Sequence, residues 1–138
     1  MTTRRVLVDT GPLVAMRNVR DQHRDRIQEL ARELPQQLYT CWPVLTEATY
    51  LLREHPEEVQ VLLKGVRQGV LVLLPPTAVD AAPVAAILKK YADQSFSLAD
   101  AALMHLAERE DITEVVTVDP HDFSIFRTAK GSSLKVIA

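Results

Sequence analysis

Short runs of β-branched and aliphatic residues alternate with longer helical stretches along the whole chain. Five runs have the length and composition of strands, at 5–8, 38–41, 70–74, 114–118 and 134–137. Strands that are separated by helices cannot form tight hairpins, so they pair in parallel with the helices packed against the sheet. The pattern predicts an α/β fold: a five-stranded parallel sheet with helices on both faces.

The stretches between the strands carry the signals of helix ends. We expect helices at 12–18, 21–34, 43–54, 56–68, 79–92 and 98–109, with a short helical turn after Pro120. Pro12 is expected in the first turn of its helix, and Pro83 must lie in a first turn or kink its helix, because proline donates no backbone hydrogen bond. Ser97 is typical of an N-cap. Since no repeat or long linker divides the sequence, we expect residues 1–138 to form one domain.

Composition narrows the class of protein. The net charge is −2 with the histidines neutral, which argues against a protein that coats nucleic acid through bulk charge. Cys41 is the only cysteine, so no intrachain disulfide can form and nothing indicates an oxidising compartment. The apolar runs are too short to span a bilayer, and the N-terminus lacks the apolar stretch of a signal peptide. We therefore expect a cytoplasmic protein without a membrane partner.

Four acidic residues stand where this fold would bring them together. Asp9 and Asp119 each follow an apolar strand, and Glu47 and Asp100 lie in the first turns of predicted helices. In an open parallel sheet, ligands bind beyond the carboxyl ends of the strands, where the strand order reverses. The amino ends of the following helices open toward the same edge. We expect the four carboxylates to converge there.

Each acid taken alone has a simpler interpretation. Asp9 could cap the helix that follows it, and Asp119 could belong to an Asp-Pro turn. Glu47 could compensate a helix dipole, and Asp100 could close a capping box with Ser97. Glu47 and Asp100, however, border the apolar stripes of their helices, where an unpaired charge is costly.

A cluster of carboxylates needs a counter-charge. At an effective dielectric constant of about 20, two carboxylates about 4 Å apart repel by about 4 kcal/mol, so a cluster takes up protons or binds a divalent cation. Oxygen ligands without histidine or cysteine favour Mg²⁺ or Mn²⁺ over zinc. The acids therefore indicate a Mg²⁺ or Mn²⁺ site.

Three enzyme classes with related motifs fit poorly. The triplet Asp9-Thr10-Gly11 resembles the active-site triplet of aspartic proteases, but those enzymes are almost wholly β. Haloacid dehalogenases need a second aspartate at the position that Gly11 occupies. The sequence has no GxxxxGK[ST] motif, which excludes a P-loop enzyme.

Taken in order, the four acidic segments resemble the motifs of PIN-domain ribonucleases, especially the VapC toxins of bacterial and archaeal toxin-antitoxin pairs. The segments are VLVDTGPLVA, PVLTEATYLL, YADQSFSLADAALMHLAE and VVTVDPHDF. The resemblance covers nearly the whole chain. It implies a PIN-like fold and Mg²⁺- or Mn²⁺-dependent endonuclease action on RNA.

The resemblance also assigns roles to the acids. It implies that Asp9 and Asp100 are the principal metal ligands, that Asp119 completes the site, and that Glu47 holds the metal or its water. Asp93 resembles a further acid of this subgroup, which would make it an additional metal ligand.

Four other residues are candidates for substrate binding. Thr10 and Thr117 would hydrogen-bond the acids or the phosphate, as the resemblance implies. Arg20 and Arg24 stand at helical spacing, which is typical either of a solvated helix face or of a surface that draws in the RNA backbone.

The resemblance further implies a homodimer that a small antitoxin protein inhibits. The alternative that the sequence leaves open is an inactive PIN-like binding module, whose acids hold a structural ion or a partner's arginine.

Overall fold

Five strands form one sheet in the computed structural model, which describes residues 3–138. They are β1 (Val6–Val8), β2 (Leu38–Thr40), β3 (Leu71–Leu73), β4 (Glu114–Val116) and β5 (Lys135–Ile137). All neighbouring strands are parallel, in the order β3-β2-β1-β4-β5. The predicted five-stranded parallel sheet is confirmed, and every strand is shorter than expected.

Helices occupy the connections between the strands. They are α1 (Thr10–Arg17), α2 (Arg24–Ala31), α3 (Trp42–Leu51), α4 (Pro56–Arg67), α5 (Ala81–Lys90), α6 (Leu98–Glu110) and α7 (Pro120–Ile125). Pro12 and Pro83 lie in first turns, as predicted. Within residues 3–138, no helix combines the length and apolar character needed to cross a membrane.

The helix predicted at 21–34 is wrong at both ends, because α2 covers only its middle. At the start, Asp21 Oδ1 accepts a hydrogen bond from the His23 backbone amide at 2.8 Å, which holds this segment in a turn. At the end, Pro35 disfavours a helical backbone at Leu34. Local side-chain and proline effects therefore shorten the helix.

The strand order reverses at β1. The chain moves outward from β1 to β2 and β3, then returns to place β4 on the other side of β1, with β5 beyond it. Right-handed crossovers in the two directions place the helices on opposite faces of the sheet. Val8 pairs with Val116 in this register, so Asp9 and Thr117 follow neighbouring strands at the point of reversal.

Helix α6 is fixed by packing on several sides. Its buried residues are Ala99, Ala101, Ala102, Leu103, Met104, Leu106 and Ala107. Since protein interiors are close-packed, a helix buried to this extent has little freedom to shift. Asp100, in the first turn of α6, is therefore held at a defined place.

A buried aspartate outside the sheet edge ties the start of α5 to α6. Asp80 Oδ2 accepts hydrogen bonds from the Thr77 backbone amide at 2.7 Å and from Arg109 at 3.0 Å, and Oδ1 lies 2.7 Å from His105 Nε2. The Thr77 amide, His105 and Arg109 lower the pKa of Asp80 to about 2. The helix predicted at 79–92 is corrected accordingly: it starts with a 3-10 turn that a capping box closes.

We expect Asp80→Asn to destabilise the chain only at pH values where Asp80 is ionised. An unfolded aspartate titrates near 3.9, and the pKa of Asp80 in the fold is about 2. Its stabilising effect is therefore full above about pH 5 and is lost as the pH falls through about 4 to about 2. Denaturant unfolding across this range measures the effect. A difference between variant and wild type that stays constant down to about pH 2 would contradict it.

Candidate active site

Five carboxylates line one pocket of about 260 Å³ at the edge of the sheet where β1 and β4 end. They are Asp9, Glu47, Asp100, Asp119 and Asp122. The structure thus brings the four acids singled out from the sequence into one place, together with a fifth. Their neighbours in the pocket include Thr10, Gly11 and Val118.

Asp9 is the most deeply buried of the five, with 9% of its surface exposed. Its Oδ2 accepts a hydrogen bond from the Thr117 hydroxyl at 2.9 Å. Its Oδ1 is buried and has no hydrogen-bond partner within residues 3–138. Although Asp9 stands at the N-cap position of α1, its side chain makes no capping hydrogen bond. Helix capping therefore does not account for this carboxylate.

The pKa of Asp9 reflects this environment. Burial raises the pKa to about 6, and the charges of Asp100 and Glu47 contribute in the same direction. The Thr10 backbone amide and the Thr117 hydroxyl oppose the shift. The ionised carboxylates of the pocket repel one another, and this repulsion favours either protonation of a carboxylate or binding of a cation.

Two threonines connect the acids to the backbone framework. Thr117 is completely buried and donates to Asp9, while Thr10 Oγ1 donates to Glu47 Oε2 at 3.2 Å. Thr10 opens α1, whereas Glu47 lies in the middle of α3, so its predicted place in a first turn is wrong. The hydrogen bond joins the start of α1 to the middle of α3. Each threonine therefore restrains the orientation of one acid.

Asp100 and Asp119 do act as helix caps. Asp100 Oδ2 accepts from the Ser97 amide at 2.9 Å, and Ser97 Oγ accepts from the Asp100 amide at 3.0 Å, which completes a capping box. Asp119 Oδ1 accepts from the His121 amide at 3.4 Å at the start of α7. Each of these hydrogen bonds uses one carboxylate oxygen, and both side chains still line the pocket.

Asp122 lines the pocket although it was not among the site residues predicted from the sequence. It lies one helical turn after Asp119 on α7, and that spacing was the available signal. Burial raises the pKa of Asp122, with Asp100 and Asp119 contributing in the same direction and His121 opposing them. Asp122 therefore shares the electrostatic field of the other acids.

Asp93 lies outside the lining of this pocket. It belongs to the 3-10 turn Ala92–Gln94, and its Oδ2 accepts a hydrogen bond from Gln94 Nε2 at 3.3 Å. Its part in metal binding stays a prediction.

The two candidate RNA-binding arginines lie beyond the far end of α1. Thr10 at the start of α1 lines the pocket, whereas Arg20 and Arg24 follow its last residue, and eight residues of helix span about 12 Å. Arg20 is exposed in the turn between α1 and α2, and Arg24 is the first residue of α2, so the two do not share a helix and their predicted helical spacing is wrong. Arg24 donates to the Met16 carbonyl oxygen at 3.2 Å. Their contact with RNA stays a prediction.

The acids have no cationic partner of their own. Within residues 3–138, the ion pairs all involve other carboxylates. The side-chain atoms of the pocket that could ligate a metal are all carboxylate or hydroxyl oxygens. Among residues 3–138, Asp9 Oδ1 is buried and has no hydrogen-bond partner. This chemistry fits a hard divalent cation such as Mg²⁺ or Mn²⁺.

The side chains as they stand do not enclose an ion. In the described part of the chain, no three His, Cys, Asp or Glu side chains are grouped closely enough to hold a metal. Ligation would therefore require rotation of the acidic side chains, of which Glu47 and Asp119 are exposed.

The fold of this chain is similar to that of two proteins of known structure. The structure of VapC20 from Mycobacterium tuberculosis, a sarcin-ricin loop cleaving toxin, matches with a TM-score of 0.75 at 19% identity and covers 83% of this chain and 90% of that one. A toxin-antitoxin complex from Klebsiella pneumoniae matches with a TM-score of 0.68 at 16% identity over 96% of each chain. At these identities the likeness concerns the fold.

The amino-acid sequence is similar to that of a ribonuclease and matches a family model, and the family match includes the pocket residues. Ribonuclease VapC26 of Mycobacterium tuberculosis is 27% identical over 134 residues, which span 96% of this chain and 99% of that protein. The family model of the PIN domain matches residues 6–130, a stretch that begins at β1 and includes all five pocket acids. With this match, and with the expected sheet and acid pocket in place, the chain belongs to the PIN-domain family.

Proposed function

We propose that this protein is a metal-dependent endoribonuclease that hydrolyses RNA phosphodiester bonds, and that it acts as the toxin of a toxin-antitoxin pair. Membership of the PIN-domain family and the similarity to ribonuclease VapC26 support RNA as the substrate. The observation that carries the proposal is the buried Asp9 carboxylate, whose Oδ1 is unpartnered in a pocket lined by four further acids.

The proposed mechanism gives the pocket residues different roles in binding the metal and positioning the acids. Asp9, Asp100 and Asp119 would hold Mg²⁺ or Mn²⁺, and Glu47 would hold the ion or orient a water molecule. When bound, the cation lowers the pKa of water and neutralises charge on the phosphate in an in-line displacement. Thr117 keeps the Asp9 carboxylate in place during this reaction. Hydrolysis leaves a 5′-phosphate and a 3′-hydroxyl.

Incubation of the purified chain with end-labelled single-stranded RNA tests the proposal. We expect cleavage with Mn²⁺ or Mg²⁺, none with EDTA, and recovery when excess Mn²⁺ is added back. A parallel preparation of Asp9→Asn controls for contaminating ribonucleases. Cleavage that persists in EDTA would contradict metal dependence, and a chain that binds Mn²⁺ but cuts no RNA would favour the inactive binding module.

The two arginines give a separate prediction. If they contact the RNA backbone, Arg20→Ala combined with Arg24→Ala should raise KM several-fold, leave kcat unchanged and flatten the salt dependence by about 0.7 log units for each lost contact. Cleavage rates measured over a series of salt concentrations check this. Arg67→Ala, an exposed arginine of α4, is the matched control. An unchanged salt slope would remove these arginines from the RNA surface.

We also propose a small antitoxin partner and a homodimer in the cytoplasm. The fold shared with the Klebsiella pneumoniae toxin-antitoxin complex supports the protein partner, and the presence of a single cysteine supports a reducing compartment. Light scattering of the isolated chain should give twice the mass of 15.5 kDa. Co-expression with the product of an adjacent short reading frame should give a complex that does not cleave RNA.

A further inference from the structure

An apolar groove of about 750 Å³ opens beside the acid pocket, between α3 and the start of α6. It shares Glu47, Leu51 and Ser97 with the acid pocket, so the two form one continuous surface. Trp42 and Leu98 line the groove and are 52% and 61% exposed. Large apolar side chains this open to solvent, and clustered next to a site, mark a binding surface.

We propose that this groove binds the unpaired nucleobase next to the phosphate that is cleaved, with Trp42 as its stacking surface. The inference rests on the proposed function and deepens it, because it assigns the recognition of single-stranded RNA to named residues.

Continuity with the acid pocket is the first reason. An RNA strand whose phosphate lies among the acids must place its neighbouring nucleotides on the surrounding surface. Glu47 lines both the pocket and the groove, and on α3 it stands between Trp42 and Tyr50. The rings of Trp42 and Tyr50 belong to positions about 12 Å apart along the helix. A nucleotide adjoining the cleaved bond therefore meets this helix face.

The chemistry of the lining is the second reason. Glu47 is the only charged residue among those that line the groove, and a carboxylate repels the RNA backbone. A nucleobase, in contrast, presents an uncharged π face that stacks on an aromatic ring. The groove therefore suits the base and disfavours the phosphate.

A cation that contacts Tyr50, one of the groove residues, is the third reason. The Arg53 guanidinium lies 4.1 Å from the centre of the Tyr50 ring and donates to the Tyr50 carbonyl oxygen at 2.9 Å. Arg53 is exposed and makes no ion pair with any residue in the range 3–138. A cation just past the end of α3 thus adjoins an aromatic residue of the groove, where it can meet the phosphate that follows the base.

Fluorescence of Trp42 provides the direct test, because it is the only tryptophan in the chain. The Asp9→Asn chain is titrated with a short adenosine oligoribonucleotide, and binding is followed independently by the anisotropy of a labelled copy. An oligomer of abasic ribose phosphates with the same length and charge is the control. We expect the adenosine oligomer to quench Trp42 along its binding curve and the abasic oligomer to leave the emission unchanged.

Two results of this titration would overturn the proposal. One is binding of the adenosine oligomer, seen by anisotropy, without any change in Trp42 emission. The other is equal quenching by both oligomers, which would place phosphate and not base near the ring.

Steady-state cleavage gives a second readout. Trp42→Ala should raise KM for RNA by about tenfold with little change in kcat, because stacking of a base on an aromatic ring contributes to binding of the strand. Trp42→Phe should restore most of the loss, and Val79→Ala, an exposed apolar residue that does not line the groove, should match wild type.

The outcomes separate this inference from the proposed function. If wild type cuts RNA and the KM of Trp42→Ala equals that of wild type, the proposed role of the groove is refuted and the proposed function stands. A wild-type chain that cuts no RNA would refute the proposed function and this inference with it. If Trp42→Ala turns a dimer into a monomer, as measured by light scattering, the face belongs to a second copy of the chain and the proposal is overturned.

Discussion

Asp9→Asn should lower kcat/KM for RNA cleavage by at least about 10²- to 10³-fold while the chain stays folded. A bound cation contributes several kcal/mol of transition-state stabilisation, and each 1.4 kcal/mol is about tenfold in rate. Asparagine keeps the size of the side chain and its acceptor for the Thr117 hydroxyl. What it removes is the negative charge of Oδ1, the one pocket oxygen that is buried without a hydrogen-bond partner among residues 3–138.

The same substitution should stabilise the metal-free chain at neutral pH. The pKa of Asp9 is about 6 in the fold and near 3.9 when unfolded, so the fold loses stability as the pH rises from about 4 through about 6. The difference corresponds to at most about 3 kcal/mol, which Asp9→Asn should recover in part. Denaturant unfolding in EDTA at acidic and mildly alkaline pH measures this gain.

A conservative change elsewhere provides the control. Asp25→Asn alters an exposed acid of α2 and should change neither cleavage nor stability. If Asp9→Asn unfolds the chain, Asp9 is needed for the fold itself, and the interpretation of its carboxylate as a functional group fails.

Gly11→Ala should be the most damaging small substitution in the pocket, with a loss of about 1–3 kcal/mol of stability and most of the cleavage activity. A Cβ atom at Gly11 would lie 2.2 Å from Val118 Cγ2. Valine is stiff at χ1, so the clash cannot be relieved by a simple rotation. The segments after β1 and β4 would separate, and Asp9 and Asp119 would move apart with them.

A double-mutant cycle isolates this effect. Val118→Ala removes the clashing atom and should restore much of the stability lost in Gly11→Ala, with a coupling of about 0.5–3 kcal/mol. Gly65→Ala on α4 is the matched control, because its Cβ would lie 3.9 Å from Leu71, an ordinary contact. It should be neutral or slightly stabilising. A Gly11→Ala chain as stable as wild type would show that the two segments are not in close contact.

The sheet and its acids could be predicted because both follow from local patterns. Alternation of strands with helices leaves a parallel sheet as the main solution, and residues that directly follow parallel strands share one edge. Asp9 and Asp119 could therefore be placed together from their positions after Val8 and Val118. The ends of α2 were misjudged because Asp21 and Pro35 act through backbone geometry that apolar periodicity does not report.

Other features depend on packing between distant elements and left little trace in the sequence. Asp80 meets His105 and Arg109 only after α5 and α6 have packed, and nothing near Asp80 marks it as buried. Trp42 lies in an apolar segment of the sequence, which is typical of a buried side chain. In the structure it is half exposed, because a groove lies between it and the start of α6.

Binding of Mn²⁺ tests most directly whether the carboxylates form one cation site. The electron paramagnetic resonance signal of free Mn²⁺ falls when the ion binds, so a titration of wild type, Asp9→Asn and Asp25→Asn gives their affinities without any RNA. We expect tight binding by wild type and Asp25→Asn, and binding weakened by at least about 10- to 100-fold in Asp9→Asn. Equal Mn²⁺ affinity in all three chains would contradict the assignment of the pocket as the metal site.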